Sequence, residues 1–145
     1  MIDRAAFLRA AGAGALVFLV LSLIVAGVLG FLLEPEPLAI STDADVEEYR
    51  RLTGFPSIIA GFLGALAAGA TSYLVTERDG LALKDRPWAI LAAPVILGAL
   101  WLLYLAPSVL VFLAGLVLYA LGAGLAAMVA GLLRGRPEEP PSRVS

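Results

Sequence analysis

The sequence predicts an all-α membrane fold: a bundle of four transmembrane helices with a short extracytoplasmic amphipathic helix between the first two. Three observations lead there. Charged residues make up 15% of the chain, where a soluble domain carries about 25% to solvate its surface. Hydrophobic residues make up 61%, and the mean hydropathy is +0.95. Four apolar runs, at 10–33, 56–75, 88–106 and 108–133, match the length of about 20 residues that a helix needs to cross a bilayer. Spanning β-strands would alternate apolar and polar over roughly ten residues, and these runs are apolar on every side. A single membrane domain over 1–145 accounts for the chain, with connections at 34–55 and 76–87 and a polar tail at 134–145 that is expected to be disordered.

Arg4 and Arg9 precede the first run, as basic residues precede the apolar core of a signal peptide. Such a core is about 7 to 15 residues long, whereas this run continues from 10 to 33 before Glu34 ends it. It reads as a retained first helix.

The connection at 34–55 collects six of the chain's twelve acids: Glu34, Glu36, Asp43, Asp45, Glu47 and Glu48. Pro35 and Pro37 stop the first helix and favour a stiff extended spacer. Ser41 or Thr42 then caps a new helix, with Asp43 and Asp45 in its first turn and Arg50 and Arg51 in its last, the order that the helix dipole favours. Glu47 and Arg51 stand at i,i+4, and Gly54 suits the exit. The reading is a two- to three-turn helix lying on the outer membrane surface and leading into Pro56. Its first reading is a capped connector that covers the outer end of the bundle; its residues Asp43, Asp45, Glu47, Glu48, Tyr49, Arg50 and Arg51 are also candidates for docking an extracytoplasmic partner. A calcium loop would share the spacing of Asp43, Asp45 and Glu47, but it needs glycine where Glu48 stands and a bidentate acid where Gly54 stands.

The second and fourth runs carry small residues at helix-packing spacing. Ala60 and Gly64, with Ala65 and Gly69, form the pattern in the second run; Ala123, Ala127 and Gly131 form it in the fourth. Such residues let helix backbones approach closely where lipid supplies no hydrophobic drive. They are the candidate packing surfaces, within one chain or between subunits.

In the third run, Trp88 lies at one end and Trp101 and Tyr104 at the other, as in the aromatic belts of membrane helices. Pro94 between them cannot donate to the carbonyl of Ile90, which then needs another donor. Thr71 and Ser72 lie at matching depth in the second run and are the expected donors. Pro107 and Ser108 join the third and fourth runs with almost no loop, so an antiparallel hairpin follows.

Charge sets the expected orientation. With four spans, the segment before residue 10, the connection at 76–87 and the tail share one side. They hold Arg4, Arg9, Arg78, Lys84, Arg86, Arg134, Arg136 and Arg143, leaving Arg50 and Arg51 of the ten basic residues for the other side. The positive-inside rule places both termini in the cytoplasm and 34–55 outside, in a multi-pass protein of the cell membrane. The preference for arginine over lysine is associated with GC-rich prokaryotic genomes.

What is missing narrows the function. The chain has no cysteine and no histidine, which removes thiolate and imidazole metal ligands, a cysteine nucleophile and the usual haem ligand. None of the four apolar cores contains an ionisable side chain of the kind that marks proton relays and voltage sensors. Ser22, Ser57, Thr71, Ser72 and Ser108 read as hydroxyls bonded to helix carbonyls. No catalytic, cofactor-binding or metal-binding residue is expected, and no nucleic-acid partner. The favoured reading is a non-catalytic accessory or scaffold subunit whose partners are the bilayer and other membrane proteins or further copies of itself. The alternative is a small homo-oligomeric channel or carrier, whose path would have to use Ser22, Thr71, Ser72, Tyr73 and Ser108.

A chain without native cysteine suits single-cysteine labelling. A cysteine at Ala44 should react with an impermeant reagent on intact cells and one at Ala82 should not; the reverse pattern would overturn the orientation.

Overall fold

The computed structural model describes residues 3–32 and 42–135, apart from the side chains of Glu47 and of residues 49–53. It holds four helices: α1 Arg4–Leu32, α2 Asp43–Arg78, α3 Arg86–Leu105 and α4 Val109–Arg134. Each contains a stretch long and apolar enough to cross a membrane.

Local chemistry sets the helix ends. Asp3 caps α1, its carboxylate accepting from the backbone N–H groups of Ala5 and Ala6. Thr42 opens α2 with a capping box, its hydroxyl accepting from the Asp45 N–H while the Asp45 carboxylate accepts from the Thr42 N–H. After Arg78 the chain turns at Gly80, whose φ of +67° is the left-handed conformation that glycine adopts without steric cost. Pro87 stands in the first turn of α3, where its missing N–H leaves no gap. Ser108 caps α4 through the Val111 N–H, so Pro107 and Ser108 make the tight hairpin with little other chain.

The segment at 42–54 differs from expectation. Instead of a separate helix ending at Gly54, α2 runs without interruption from Asp43 to Arg78 with Pro56 inside it. A proline removes one backbone donor and crowds the carbonyl four residues earlier. That kinks or weakens a helix but does not oblige it to stop. The 36 residues of α2 are about 54 Å long at 1.5 Å per residue, well over the bilayer's hydrocarbon thickness of about 30 Å.

The helices pack as a rhombus. α2 and α3 share the short diagonal, each packing against all three other helices, while the backbones of α1 and α4 stay apart among the described residues. α2 runs antiparallel to α1, and its contacts follow a reciprocal pattern. A Cβ at Gly14 would overlap the hydroxyl of Ser72, and a Cβ at Gly64 would overlap the hydroxyl of Ser22. Each glycine also lies close to a carbonyl one turn from the opposing serine, that of Ala68 or Phe18. In both helices glycine precedes serine by eight residues, so the seam has a local two-fold axis. The α3–α4 hairpin repeats the device with bulkier knobs: Tyr119 fills the notch at Gly98, and Leu102 fills the notch at Gly115.

Tyr119 lies where the helices converge. Its fully buried ring fills notches at Gly61 of α2 and Gly98 of α3 and meets Phe18 of α1 edge-on, with ring centroids 6.3 Å apart. Its hydroxyl donates to the Ile58 carbonyl of α2 at 2.9 Å. One α4 side chain thus touches each of the other three helices.

Tyr119→Phe should remove that hydrogen bond and keep the ring, costing about 0.6 to 1.7 kcal/mol. Gly98→Ala should cost about 1 to 3 kcal/mol, because the ring must shift to admit a methyl group. Unfolding in mixed micelles measures both; Gly27→Ala, at a position where a Cβ meets open space, should cost nothing.

Candidate functional site

The candidate docking residues lie on the first three turns of α2. Asp43 and Glu48 are exposed, and Asp45 is committed to the capping box, where its carboxylate also accepts from the Thr42 hydroxyl at 2.8 Å. The side chains of Glu47, Tyr49, Arg50 and Arg51 lie outside the described residues, as do Glu34 and Glu36 and the spacer that contains them. The helical backbone bears on the calcium reading. A calcium loop wraps alternate acids around one ion, whereas residues two apart on a helix point about 160° away from each other. Asp43 and Asp45 therefore diverge, and no three acids gather among the described residues.

The small-residue positions are buried or half-buried within the protein. Ala60 and Ala65 are fully buried on α2, and Gly64 receives Ser22 of α1. Gly69 lies against the backbone of Ala123 on α4, where no side chain can yield, so it is the least replaceable glycine in the molecule. Further along the same parallel α2–α4 seam, Ala127 is buried and Gly131 lies under the Tyr73 hydroxyl.

The hydroxyls divide by role. Ser72 donates to the Ala10 carbonyl of α1 at 3.0 Å, between helices. The expected bond from Thr71 or Ser72 to the Ile90 carbonyl is therefore not made; Ser72 faces α1 and not α3, and no described side chain donates to Ile90. Buried Thr76 donates to its own helix at Tyr73. Ser22, enclosed by the Gly64 notch, has no hydrogen-bond partner among the described residues. The residues required for a channel are thus dispersed: Ser22 and Ser72 lie in the α1–α2 seam, Thr71 and Tyr73 are half-buried elsewhere on α2, and Ser108 caps the outer hairpin.

Sequence reasoning missed the aromatic donors that cross the bundle. Besides Tyr119, Trp101 of α3 donates its indole N–H to the Ser57 carbonyl of α2 at 2.9 Å, so two successive α2 carbonyls each receive a second donor. The signal was available: Tyr119 stands ten residues inside an apolar run, far from the interfaces where tyrosine usually sits, and a phenol at that depth must find an acceptor.

Charge gathers at the other end, where the start of α1, the α2–α3 turn and the end of α4 meet. Arg9 pairs with Asp79 at 2.8 Å and Arg134 with Glu77 at 2.9 Å, tying α1 and α4 to α2. Both arginines are more than half exposed, so these pairs contribute register more than stability. Arg86 donates through Nε to the Leu81 carbonyl at 2.9 Å. Asp85 is buried, with one carboxylate oxygen lacking a partner among the described residues.

Grooves open from the bundle surface, one of them, of about 490 Å³, at the α3–α4 hairpin around Pro107 and Phe112 and two between the helices. One of these two, of about 450 Å³, runs between α1 and α3 at the end that carries Trp101 and Tyr104. The other, of about 420 Å³, lies between α2, α3 and α4 at the charged end and is lined by Tyr73, Arg86, Ile90, Met128 and Leu132 among others. No family model, curated protein or solved structure matches the chain.

The cap on α2 is testable without a partner. Thr42→Ala or Asp45→Ala should each loosen the first turns by about 1 kcal/mol, read as faster amide exchange there. Calcium should leave the melting temperature unchanged; a calcium-dependent rise abolished by Asp43→Ala with Asp45→Ala would establish the metal site instead.

Proposed function

We propose that this protein is a non-catalytic integral membrane protein, an accessory or scaffold subunit that packs against other membrane proteins. In this reading it resides in a prokaryotic plasma membrane with both termini cytoplasmic. The N-terminal turns of α2 then project on the extracytoplasmic side as a capped, charged arm available to a partner.

The observation that carries the reading is the contrast between two sets of glycines. Gly14, Gly61, Gly64, Gly69, Gly98, Gly115, Gly122 and Gly131 each receive a neighbour closely enough that a Cβ would collide or crowd. Gly12, Gly27 and Gly30 of α1 and Gly124 of α4 face open space, and of these Gly27 and Gly30 lie on the last turns of α1, where no residue from Leu23 to Leu32 is buried. Glycine in a helix costs about 1 kcal/mol relative to alanine. In the first set close packing offsets that cost; in the second set nothing among the described residues does. A helix of another protein resting on α1 would supply the missing contact, because small residues are what a close helix approach in lipid requires.

The closed interior also supports a packing role over transport. The seams between helices are filled by glycine notches and their knobs, and the polar residues that a path would need are scattered. A homo-oligomer could still assemble such a path between protomers, which keeps the channel as the second reading.

Extraction in a mild detergent followed by mass analysis separates the two. Heterologous subunits should co-purify, and Gly27→Leu with Gly30→Leu should release them while the monomer keeps or gains stability. A closed ring of identical chains that conducts ions in reconstituted vesicles would replace the scaffold with the channel.

A further inference from the structure

We propose that the groove between α2, α3 and α4 at the charged end is a binding site for one anionic phospholipid, its phosphate held by Arg86 and Tyr73 and an acyl chain lying along Ile90, Met128 and Leu132. The inference rests on the membrane reading above and gives the bundle a specific lipid ligand. The groove is amphipathic in the sense that a lipid requires. Its walls are apolar for most of their extent, and its two side-chain donors are the Arg86 guanidinium and the Tyr73 phenol.

Both donors have capacity to spare. Arg86 uses Nε on the Leu81 carbonyl, which fixes the guanidinium plane, and it makes no ion pair among the described residues. Tyr73 makes no side-chain hydrogen bond among them, although its hydroxyl lies over Gly131, where a Cβ would come within 2.9 Å. The neighbouring acids do not neutralise the site: Glu77 and Asp79 are paired with Arg134 and Arg9, and Asp85, next to Arg86 in the chain, forms no ion pair with it. An arginine at the rim of an apolar groove between membrane helices, with donors still open, is complementary to a phosphodiester, which the guanidinium binds through two parallel hydrogen bonds. Basic pockets of this kind on the cytoplasmic side are where anionic headgroups settle. A protein partner would have to bring a buried acid into the groove; a lipid brings the charge and the matching apolar chain together.

The test is native mass spectrometry of the full chain in a mild detergent, titrated with phosphatidylglycerol and with phosphatidylcholine of the same acyl chains. The wild type should retain one phosphatidylglycerol in preference to phosphatidylcholine. Arg86→Gln should weaken that adduct about tenfold, as expected for loss of a charge-assisted hydrogen bond, and Tyr73→Phe should weaken it less. Met128→Trp, which fills the apolar limb without changing charge, should also weaken it. Lys84→Gln, at the same end but outside the groove, should have no effect. Met128→Trp and Tyr73→Phe keep the test decisive if Arg86→Gln fails to fold. Equal losses from Lys84→Gln and Arg86→Gln would reduce the site to diffuse surface charge and overturn it. Competition by free glycerol phosphate as strong as by the lipid would overturn the lipid as occupant. Absence of any retained lipid on a chain that resists alkaline carbonate extraction would overturn the site and leave the membrane reading standing; release by carbonate would overturn both.

Discussion

A phenol in the middle of an apolar bundle is the constraint around which the other contacts are arranged. Lipid offers no hydrophobic drive between helices, so association depends on close backbone approach and on satisfying the few buried polar groups. Tyr119 imposes both conditions at once. Its hydroxyl must reach an acceptor, which brings α4 against the Ile58 carbonyl, and its ring needs space, which Gly61 and Gly98 provide on two different helices. Phe18 closes the remaining edge from α1. Displacing any one helix leaves the ring poorly packed or the hydroxyl unpaired.

The same logic orders the seams. Along α1–α2 the knobs are serine hydroxyls and along α3–α4 they are Leu102 and Tyr119, but each pair is reciprocal: the helix that offers a notch also inserts a knob. Reciprocity fixes the axial register, because sliding one helix moves two knobs out of two notches together. The ion pairs at the charged end, Arg9 with Asp79 and Arg134 with Glu77, extend that register to the surface. The bundle is thus held by shape through its interior and aligned by charge at one end.

Much of this was legible in the sequence, and the remainder was not for identifiable reasons. Helix number and approximate boundaries follow from apolar run length, and the cap at Thr42 follows from a side chain able to bond the free N–H groups of a first turn; Ser108, read as a hydroxyl bonded to a helix carbonyl, instead accepts from the Val111 N–H and caps α4. The continuity of α2 through Pro56 was not legible, because a proline signals a lost donor without saying whether the helix stops. The partner of Ser72 was not legible either. Depth in the membrane narrows the choice to several carbonyls, and only the rotation of α2 selects Ala10 over Ile90. Tyr119 was visible as an anomaly, a tyrosine far from an interface, but its notches at Gly61 and Gly98 lie on helices that the linear order does not bring together.

The rhombic arrangement bears on how the chain is made. α2 is the least apolar of the four candidate spans and the most enclosed by its neighbours, whereas α1 is the most apolar and the least enclosed. α1 leaves the ribosome before α2, and in the membrane reading it has the composition to reside in lipid without that partner. The helix that follows brings serine hydroxyls and a glycine-rich face that partition poorly without partners. By then the complementary seam, Gly14 and the Ala10 carbonyl included, is already present on α1. For a bundle inserted in a membrane, the order of α1 and α2 is therefore also an order of assembly: the more self-sufficient helix enters before the dependent one and serves as the template that receives it.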